Sequence, residues 1–382
     1  MAKKLVALLI GVLFLFMGTC LTNVSAASVK KEKPPTAPEK IKAKAAVLID
    51  EQTGRILFEK DAQLRLPMAS TTKIMTALLT LEQADLDDYF TVNSQAINVE
   101  GSSMGLKEGD RVSLRALAYG MLLPSGNDAA NTAAVRIAGS LPEFAKMMNE
   151  RAQEMGLYDT HFVTPSGLND ENHYSTAYDM ARLAQQALQN PEFANICSSS
   201  QAVVQFGNPP HDRWMKNHNR LLSSYEGAVG VKTGYTEAAG RCLVSCAERN
   251  GIKLIAVTLN CHDDWNVHSQ LFDRYFSDLS LMDVAKLLPK VQIPVMGGSA
   301  VKVRAECETP PKLAALVNEN VTADVTVQPY LYAPVEQGRI VGTVTFRCNG
   351  KPVIQLPLTT VKAVKAACDQ PGLLDRLLGK DH

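Results

Sequence analysis

The sequence of 382 residues lacks an excess of either charge, because 39 Lys and Arg residues balance 39 Asp and Glu residues. Proteins that bind nucleic acid usually carry a basic excess, so the balance argues against that class of partner. The chain also lacks the spacings of common metal sites, with no C-x-x-C and no H-E-x-x-H. We therefore expect neither a metal nor another cofactor.

The chain has no apolar run of the roughly 20 residues that a membrane-spanning helix needs. The longest begins at Leu5 and ends at Met17, directly after Lys3 and Lys4. A basic flank, a short apolar stretch and small residues ending at Ala26 are typical of a secretory signal peptide. We predict that residues 1–26 are such a signal, the alternative being a membrane anchor, and that the mature protein is extracytoplasmic.

Cysteine is scarce, with eight residues, of which seven would remain after removal of the signal. Export permits disulfides, but an odd number leaves at least one thiol unpaired or joined to another molecule. Cys242 and Cys246 fall four residues apart on one expected strand, too far for a mutual bond. We expect the cysteines to be small buried hydrophobic residues.

The order of elements predicts an α+β fold. Residues 27–41, rich in Lys, Pro and Glu, are interpreted as a linker. In residues 42–288, hairpins with turns at Thr53-Gly54 and Asn250-Gly251 flank a helical stretch from about Thr71 to Gln189. Strands from both chain ends would form one antiparallel sheet with a helical subdomain inserted.

Short alternating strands then predict a separate all-β domain, residues 289–366, called the β domain below. The remaining tail, residues 367–382, carries four leucines on one face of a short helix (Leu373, Leu374, Leu377, Leu378). That face could make a peripheral contact with a membrane, or pack against the protein.

The first candidate catalytic pair is Ser70 and Lys73, in an S-x-x-K pattern that opens an apolar helical stretch. Residues three apart on a helix share a face, so the amine can reach the hydroxyl. A lysine whose pKa is lowered by burial and neighbouring cations can act as the base that activates serine. The pattern alone is weak, since Ser28 and Ser299 also begin an S-x-x-K.

Two further motifs follow in order. Ser125-Gly126-Asn127 is the only S-x-N of the chain, and Lys232-Thr233-Gly234 is the only K-T-G. Either could be an ordinary turn or strand start. A serine helix, a loop with a hydroxyl and an amide, and a cationic strand nevertheless form a known catalytic set.

With these motifs the sequence resembles the low-molecular-mass penicillin-binding proteins, the D-alanyl-D-alanine carboxypeptidases, and in particular their Gram-positive and clostridial, sporulation-associated branch. The likeness extends over about residues 41–371 and includes the stretches at residues 165–168, 173–180 and 217–222. It implies a β-lactamase/transpeptidase-like fold. It also implies that the partners are peptidoglycan stem peptides ending in D-Ala-D-Ala and β-lactam inhibitors.

The resemblance also implies a role for each motif residue. Ser70 would form an acyl-enzyme, Lys73 would take its proton, and Ser125 would pass a proton to the departing amine. The amide of Asn127 would hold the peptide backbone. The terminal carboxylate would bind Lys232 and Thr233, and Gly234 would leave room for the substrate. The backbone N–H groups of Ser70 and Tyr235 would form the oxyanion hole.

One departure concerns the carboxylate. Some relatives have an arginine after the strand that follows K-T-G, whereas residues 261–268 of this chain contain none. Carboxylate binding would then fall more heavily on Lys232 and Thr233, which leaves the substrate preference open.

Four other functions were weighed. A Ser-His-Asp triad around the G-x-S-x-G match at residues 101–105 is disfavoured, because the surrounding sequence is a polar loop. A class A β-lactamase would need S-D-N and a glutamate for deacylation. An inert β-lactam or wall-binding module would not need three intact motifs. The balance of carboxypeptidase, endopeptidase and transpeptidase activity stays open.

Overall fold

A computed structural model of the chain describes residues 41–310 and 312–367. The predicted signal segment, nearly all of the linker and nearly all of the tail lie outside the described residues, as do Ser28 and Cys368. Within the described part of the chain, no helix is long and apolar enough to cross a membrane.

The described α-helices are α1 (Lys73–Leu81), α2 (Ser94–Ile97), α3 (Leu114–Leu122), α4 (Asn127–Ala138), α5 (Leu141–Glu154), α6 (Ala177–Ala187), α7 (Pro191–Ser198), α8 (Leu221–Ser224) and α9 (Asp264–Asp278). Short 3-10 helices cover Ala69–Thr72 and Val284–Leu287. The described strands are β1 (Ala43–Asp50), β2 (Ile56–Lys60), β3 (Phe90–Thr91), β4 (Arg111–Val112), β5 (Gln201–Gly207), β6 (Pro210–Lys216), β7 (Ala228–Thr236), β8 (Gly240–Arg249), β9 (Ile252–Cys261), β10 (Leu279–Met282), β11 (Val291–Met296), β12 (Lys302–Glu306), β13 (Leu313–Leu316), β14 (Val321–Val327), β15 (Leu331–Tyr332), β16 (Ile340–Cys348) and β17 (Lys351–Thr360).

A five-stranded antiparallel sheet, in the order β2-β1-β9-β8-β7, unites the two ends of the catalytic region (residues 42–288). Both predicted hairpins are present. Asn250 and Gly251 join β8 to β9 with φ of 52° and 77°, the left-handed values that a two-residue hairpin turn requires. The predicted α+β arrangement is thus confirmed, and β7 is left as an edge strand of the sheet.

The sheet is buried on both faces, and alternate residues of each strand go to different cores. Ile255 and Val257 of β9 face the main core with α1 and α6. Leu254 and Ala256 face the opposite side, where Phe272 of α9 packs against them. Burial on both faces explains why β9 is apolar almost throughout.

The inserted subdomain is largely helical, as predicted, but it also contains strands. The two-residue strands β3 and β4 join β5 and β6 in a four-stranded sheet. Strands of two residues are too short to produce an alternating pattern, so they could not be recognised in the sequence.

The β domain contains a six-stranded sheet in the order β14-β16-β17-β12-β11-β15. Its strand β13 leaves this sheet and pairs with β10, which directly follows α9. Arg55 strengthens the connection, because its guanidinium donates to the Ala314 carbonyl at 2.9 Å and forms an ion pair with Glu319. The two regions are therefore joined by a strand pair and by the contacts of the partly buried Arg55.

The six described cysteines form no disulfide with one another (Cys197, Cys242, Cys246, Cys261, Cys307, Cys348). All but the partly exposed Cys307 are buried, as expected. Cys242 and Cys246 do lie four residues apart on one strand, β8.

Candidate active site

A cleft of about 570 Å³ opens where the turn before α1, the loop before α4 and the edge strand β7 meet. Ser70, Ser125, Thr233, Gly234 and Tyr235 all line it. The three motifs, which are far apart in sequence, therefore meet at one place in the fold.

Ser70 lies in the 3-10 turn Ala69–Thr72, one turn ahead of α1, rather than in the α-helix that the sequence predicted. The expected contact is nevertheless made, because the Ser70 hydroxyl oxygen lies 3.0 Å from Nζ of Lys73. The turn is held by Thr71, whose hydroxyl donates to the Met68 carbonyl at 2.6 Å.

The amine of Lys73 has three oxygen neighbours. Nζ lies 2.6 Å from Oδ1 of Asn127, 2.7 Å from the Ser166 carbonyl oxygen and 3.0 Å from the Ser70 hydroxyl. The amide and carbonyl oxygens can only accept hydrogen bonds. A neutral amine has two N–H groups and one lone pair. If these oxygens take both N–H groups, the lone pair faces the hydroxyl of Ser70, as a general base requires.

Burial favours the neutral form of the Lys73 amine. Lys73 is completely buried, and the loss of hydration lowers its pKa well below the usual range, with the charge of Lys232 as a second cause. No carboxylate within the described residues forms a salt bridge with Lys73 that would hold the proton on the amine. Lys73 is thus arranged to accept a proton from the Ser70 hydroxyl.

The second hydroxyl of the cleft belongs to Ser125, in the loop between α3 and α4. It accepts a hydrogen bond of 2.9 Å from Nζ of Lys232, whose side chain is 1% exposed. Burial lowers the pKa of Lys232 to about 7. Ser125 has a φ of 65°, a left-handed conformation that is unfavourable for serine and that recurs at active sites as well as in turns.

Asn127, the first residue of α4, has both ends of its side-chain amide occupied. Oδ1 accepts from Lys73, and Nδ2 donates to the Glu100 carbonyl at 2.6 Å. In this structure the amide therefore orients the lysine. The sequence-based role of binding the substrate backbone stays a prediction.

The K-T-G motif lies in the middle of β7, not at its start, and Gly234 packs against the turn Ala69–Thr72 that contains Ser70. A Cβ atom on Gly234 would lie 3.0 Å from the backbone nitrogen of Ser70 and 3.0 Å from the Met68 carbonyl oxygen. Glycine therefore permits the close approach of strand and turn, a reason that the sequence did not reveal.

Residues 165–168 and 173–180, for which the sequence predicted no individual role, both support the turn. A Cβ atom on Gly167 would lie 2.0 Å from the Ala69 carbonyl oxygen, so only glycine fits there. Nδ1 of His173 accepts from the Val163 N–H at 2.9 Å, which leaves Nε2 to donate to Thr72 Oγ1 at 2.8 Å. Burial lowers the pKa of His173 to about 4, so it is neutral at pH 7.

The loop with the G-x-S-x-G match is a structural wall of the cleft. The carboxylate of Asp128 accepts from the backbone N–H groups of Met104 and Leu106 at 2.8 and 3.0 Å, and from the Ser103 hydroxyl at 2.6 Å. Ser103 is thus hydrogen-bonded to an acid, and the segment directly before it is the helix Ser94–Ile97 and a loop rather than a strand. This is not a nucleophile elbow.

The other rival sites are not assembled in the described part of the chain. Among the described residues, no histidine hydrogen-bonds Ser70, and no cluster of three His, Cys, Asp or Glu side chains could hold a metal ion. Among the described residues that line the cleft, the acid is Asp264 and none is a glutamate. The S-x-x-K pattern that begins at Ser299 lies outside any helix, because Ser299 is in a bend and Lys302 begins β12.

Comparison with known proteins gives a consistent result. Residues 29–263 match the family described as D-alanyl-D-alanine carboxypeptidase, and residues 289–366 match the C-terminal domain of penicillin-binding protein 5. The chain is 31% identical over 379 residues to D-alanyl-D-alanine carboxypeptidase DacF of Bacillus subtilis (strain 168), and the match covers 96% of each chain.

Solved structures agree. Penicillin binding protein 5 from Haemophilus influenzae is 28% identical, with a TM-score of 0.71 over 86% of this chain and 99% of that one. The Streptomyces K15 DD-transpeptidase is 32% identical, with a TM-score of 0.58 over 62% of this chain and 96% of that one. These likenesses confirm the fold class that the sequence predicted.

Proposed function

We propose, since the chain belongs to the D-alanyl-D-alanine carboxypeptidase family, that Ser70 is the nucleophile with which it removes the terminal D-alanine from peptidoglycan stem peptides. The chain is a serine-type carboxypeptidase that acts on the cell wall and is acylated by β-lactams. The observation that carries the assignment of Ser70 is the position of the buried Lys73 amine, 3.0 Å from its hydroxyl.

In the first half-reaction, the Ser70 oxygen attacks the carbonyl carbon between the two D-alanines and gives its proton to Lys73. The developing oxyanion would be stabilised by the backbone N–H groups of Ser70 and Tyr235, each such donor being worth about 3 kcal/mol. The close packing of Gly234 on the Ser70 turn supports this pair.

The intermediate then collapses, and the bond to the departing nitrogen breaks. Ser125 donates a proton to that nitrogen and regains one from protonated Lys73, since a hydroxyl can donate and accept at once. The 2.9 Å hydrogen bond from Lys232 orients Ser125 for this relay. Water next attacks the acyl-enzyme with Lys73 as base, and Ser70 recovers its proton as the shortened peptide leaves.

Lys232 and Thr233 would bind the terminal carboxylate, Asn127 would hold the peptide backbone, and Gly234 would leave room for it. The balance between hydrolysis and transfer to an amine depends on the acceptor. The assignment of Ser70 is independent of that balance, because the acyl-enzyme is common to both outcomes.

Mass spectrometry after exposure to penicillin tests the nucleophile directly. We expect one penicilloyl adduct on the peptide that contains Ser70, and release of D-alanine from diacetyl-Lys-D-Ala-D-Ala. Ser70→Ala should abolish both. Ser299→Ala, in the S-x-x-K pattern of the β domain, is the matched control and should retain both the adduct and the release of D-alanine. An adduct on another residue, or undiminished release by Ser70→Ala, would refute the assignment.

Residues 1–26 are proposed to direct export and to be removed, with residues 27–41 as a linker to the catalytic region and the β domain as a separate unit. The support is the basic flank and apolar run at the N terminus. The tail would add a weak membrane contact. The intact mass of the protein recovered outside the cytoplasm tests the cleavage, and a mass that still includes residues 1–26 would contradict it.

A further inference from the structure

The cleft contains an arginine in a place where the sequence did not suggest one. The arginine that some relatives have after the strand that follows K-T-G is missing from residues 261–268 of this chain. Arg241, the second residue of the neighbouring strand β8, instead lines the cleft together with Ser70 and Thr233. It is therefore close enough to the catalytic groups to contact a bound substrate.

Strand register sets the direction of this side chain. Arg241 is paired with Tyr235 across the β7–β8 ladder. Directly paired residues project from the same face, and so do residues two apart on one strand. Arg241 therefore shares a face with Thr233, the residue to which the carboxylate of the substrate is assigned. β7 is the edge strand of the sheet, and residues of both β7 and β8 line the cleft.

Two neighbours fix the guanidinium group. Oδ1 of Asp264, a residue that is 2% exposed, accepts from Nε of Arg241 at 3.1 Å and from Nη2 at 2.7 Å. The ring of Trp265 lies 5.5 Å from the guanidinium carbon. The Nη1 group has no hydrogen-bond partner in the described part of the protein. Its N–H groups are thus held in place and left for a ligand.

The charges of the cleft suit an anionic ligand. Arg241, Lys216 and Arg220 line it, whereas among the described lining residues the acid is Asp264, which is already paired with Arg241. The ion pair and the aromatic ring hold the guanidinium group in one orientation. Its remaining N–H donors lie in one plane, the geometry that suits a carboxylate.

We propose that Arg241 is a specificity-determining residue that binds the terminal carboxylate of the substrate, in place of the arginine absent from residues 261–268. The inference rests on the proposed function. With Thr233 it forms the subsite that distinguishes a free chain end from an internal peptide bond. Asp264 and Trp265 act as positioning residues for it.

The test compares two acyl donors that differ only in charge: diacetyl-Lys-D-Ala-D-lactate and its methyl ester. For Arg241→Ala we expect kcat/KM for the free acid to fall about 10- to 100-fold, the range of one hydrogen-bonded charge pair. The value for the methyl ester should change less than about threefold. Arg241→Lys should restore part of the preference for the acid.

A matched control lies at the other end of the same strand. Arg249 is also paired with an aspartate, Asp273 at 3.0 Å, and also lies over an aromatic ring, that of Tyr225 at 4.6 Å. Arg249→Ala removes the same kind of contact at a distance from the cleft, and both donors should keep their wild-type values.

Equal losses for both donors in Arg241→Ala would show a merely structural role and overturn the proposal. Wild-type values for both donors would also overturn it, and would assign the carboxylate to the other cations of the cleft. Stoichiometric penicilloylation of Ser70 in the variant verifies that the nucleophile is intact. If wild type itself gives no adduct on Ser70, the proposed function fails instead, so the two failures are distinguishable.

Discussion

In the catalytic region two whole lysine side chains, Lys73 and Lys232, are at most 1% exposed, and neither forms a salt bridge with a described residue. Among the described residues of the β domain, Thr360 is the one buried residue with a polar side chain, the thiol of Cys348 aside. The core there is apolar and is centred on residues such as Val344 and Phe346.

The difference reflects what each region must do. Burying an amine costs free energy because the charged form loses its hydration, and the group responds by a lower pKa. An apolar core has no such cost and contributes only packing. The catalytic region thus contains buried amines, which cost free energy, at the place where the proposed reaction transfers a proton. The described residues of the β domain include no buried amine.

The largest effect should come from removing the amine. Lys73→Met keeps the length of the side chain but deletes the base, so we expect the rate constant of acylation by penicillin to fall about 10²- to 10⁴-fold, the range of general-base catalysis. Stopped-flow or labelled-penicillin kinetics measure it. Lys302→Met, an exposed lysine of the β domain, should retain the wild-type rate. A loss of less than threefold in Lys73→Met would assign the proton to another group.

Much of the fold followed from periodicity and turns. The pairs Thr53-Gly54 and Asn250-Gly251 marked hairpins because few residues tolerate left-handed backbone, and both hairpins are present. Strands β3 and β4 were not predictable, since they are held by partners distant in the chain rather than by a pattern of their own. The pairing of β13 with β10 has the same cause.

In the candidate site, the residues with a reactive side chain were predictable and those that act through geometry were not. Ser70, Lys73 and Ser125 belong to short motifs. The carbonyl of Ser166 and the fixed guanidinium of Arg241 act through positions that only the assembled fold creates. Every residue type has a backbone carbonyl, so the identity of the residue at position 166 does not indicate that its carbonyl contacts Lys73.

A second prediction compares two buried phenylalanines. Phe346→Ala in the β domain should lower the free energy of unfolding by about 3–5 kcal/mol, the usual cost of such a cavity, without changing the acylation rate of folded molecules. Phe162→Ala, in the catalytic region, should cost a similar amount and also slow acylation. Its ring packs edge-on against His173 at 5.9 Å, and His173 supports the turn of Ser70 through Thr72.

Urea unfolding gives the two free energies, and penicillin kinetics at a temperature where both variants are folded give the rates. If Phe346→Ala slowed acylation as much as Phe162→Ala, the β domain would be part of the catalytic apparatus. The contrast between the two regions would then be lost.

The smallest effect concerns the pH dependence of stability. Burial lowers the pKa of Lys232 to about 7 in the folded state, whereas an unfolded lysine titrates near 10.5. Between these values the unfolded chain binds a proton that the folded chain does not, so the free energy of unfolding rises with pH, by at most about 1.4 kcal/mol per pH unit for one group. Lys73 acts in the same direction.

When the pH is raised from 7.0 to 8.5, the free energy of unfolding of Lys232→Met should therefore rise by roughly 1–2 kcal/mol less than that of wild type. The comparison with wild type cancels the contribution of groups that both proteins share, the cysteines included. Lys302→Met should keep the wild-type slope. Urea titrations at the two pH values measure the difference. If the slopes of wild type and Lys232→Met coincided, Lys232 would be charged throughout, and its hydrogen bond to Ser125 would be that of a permanent cation.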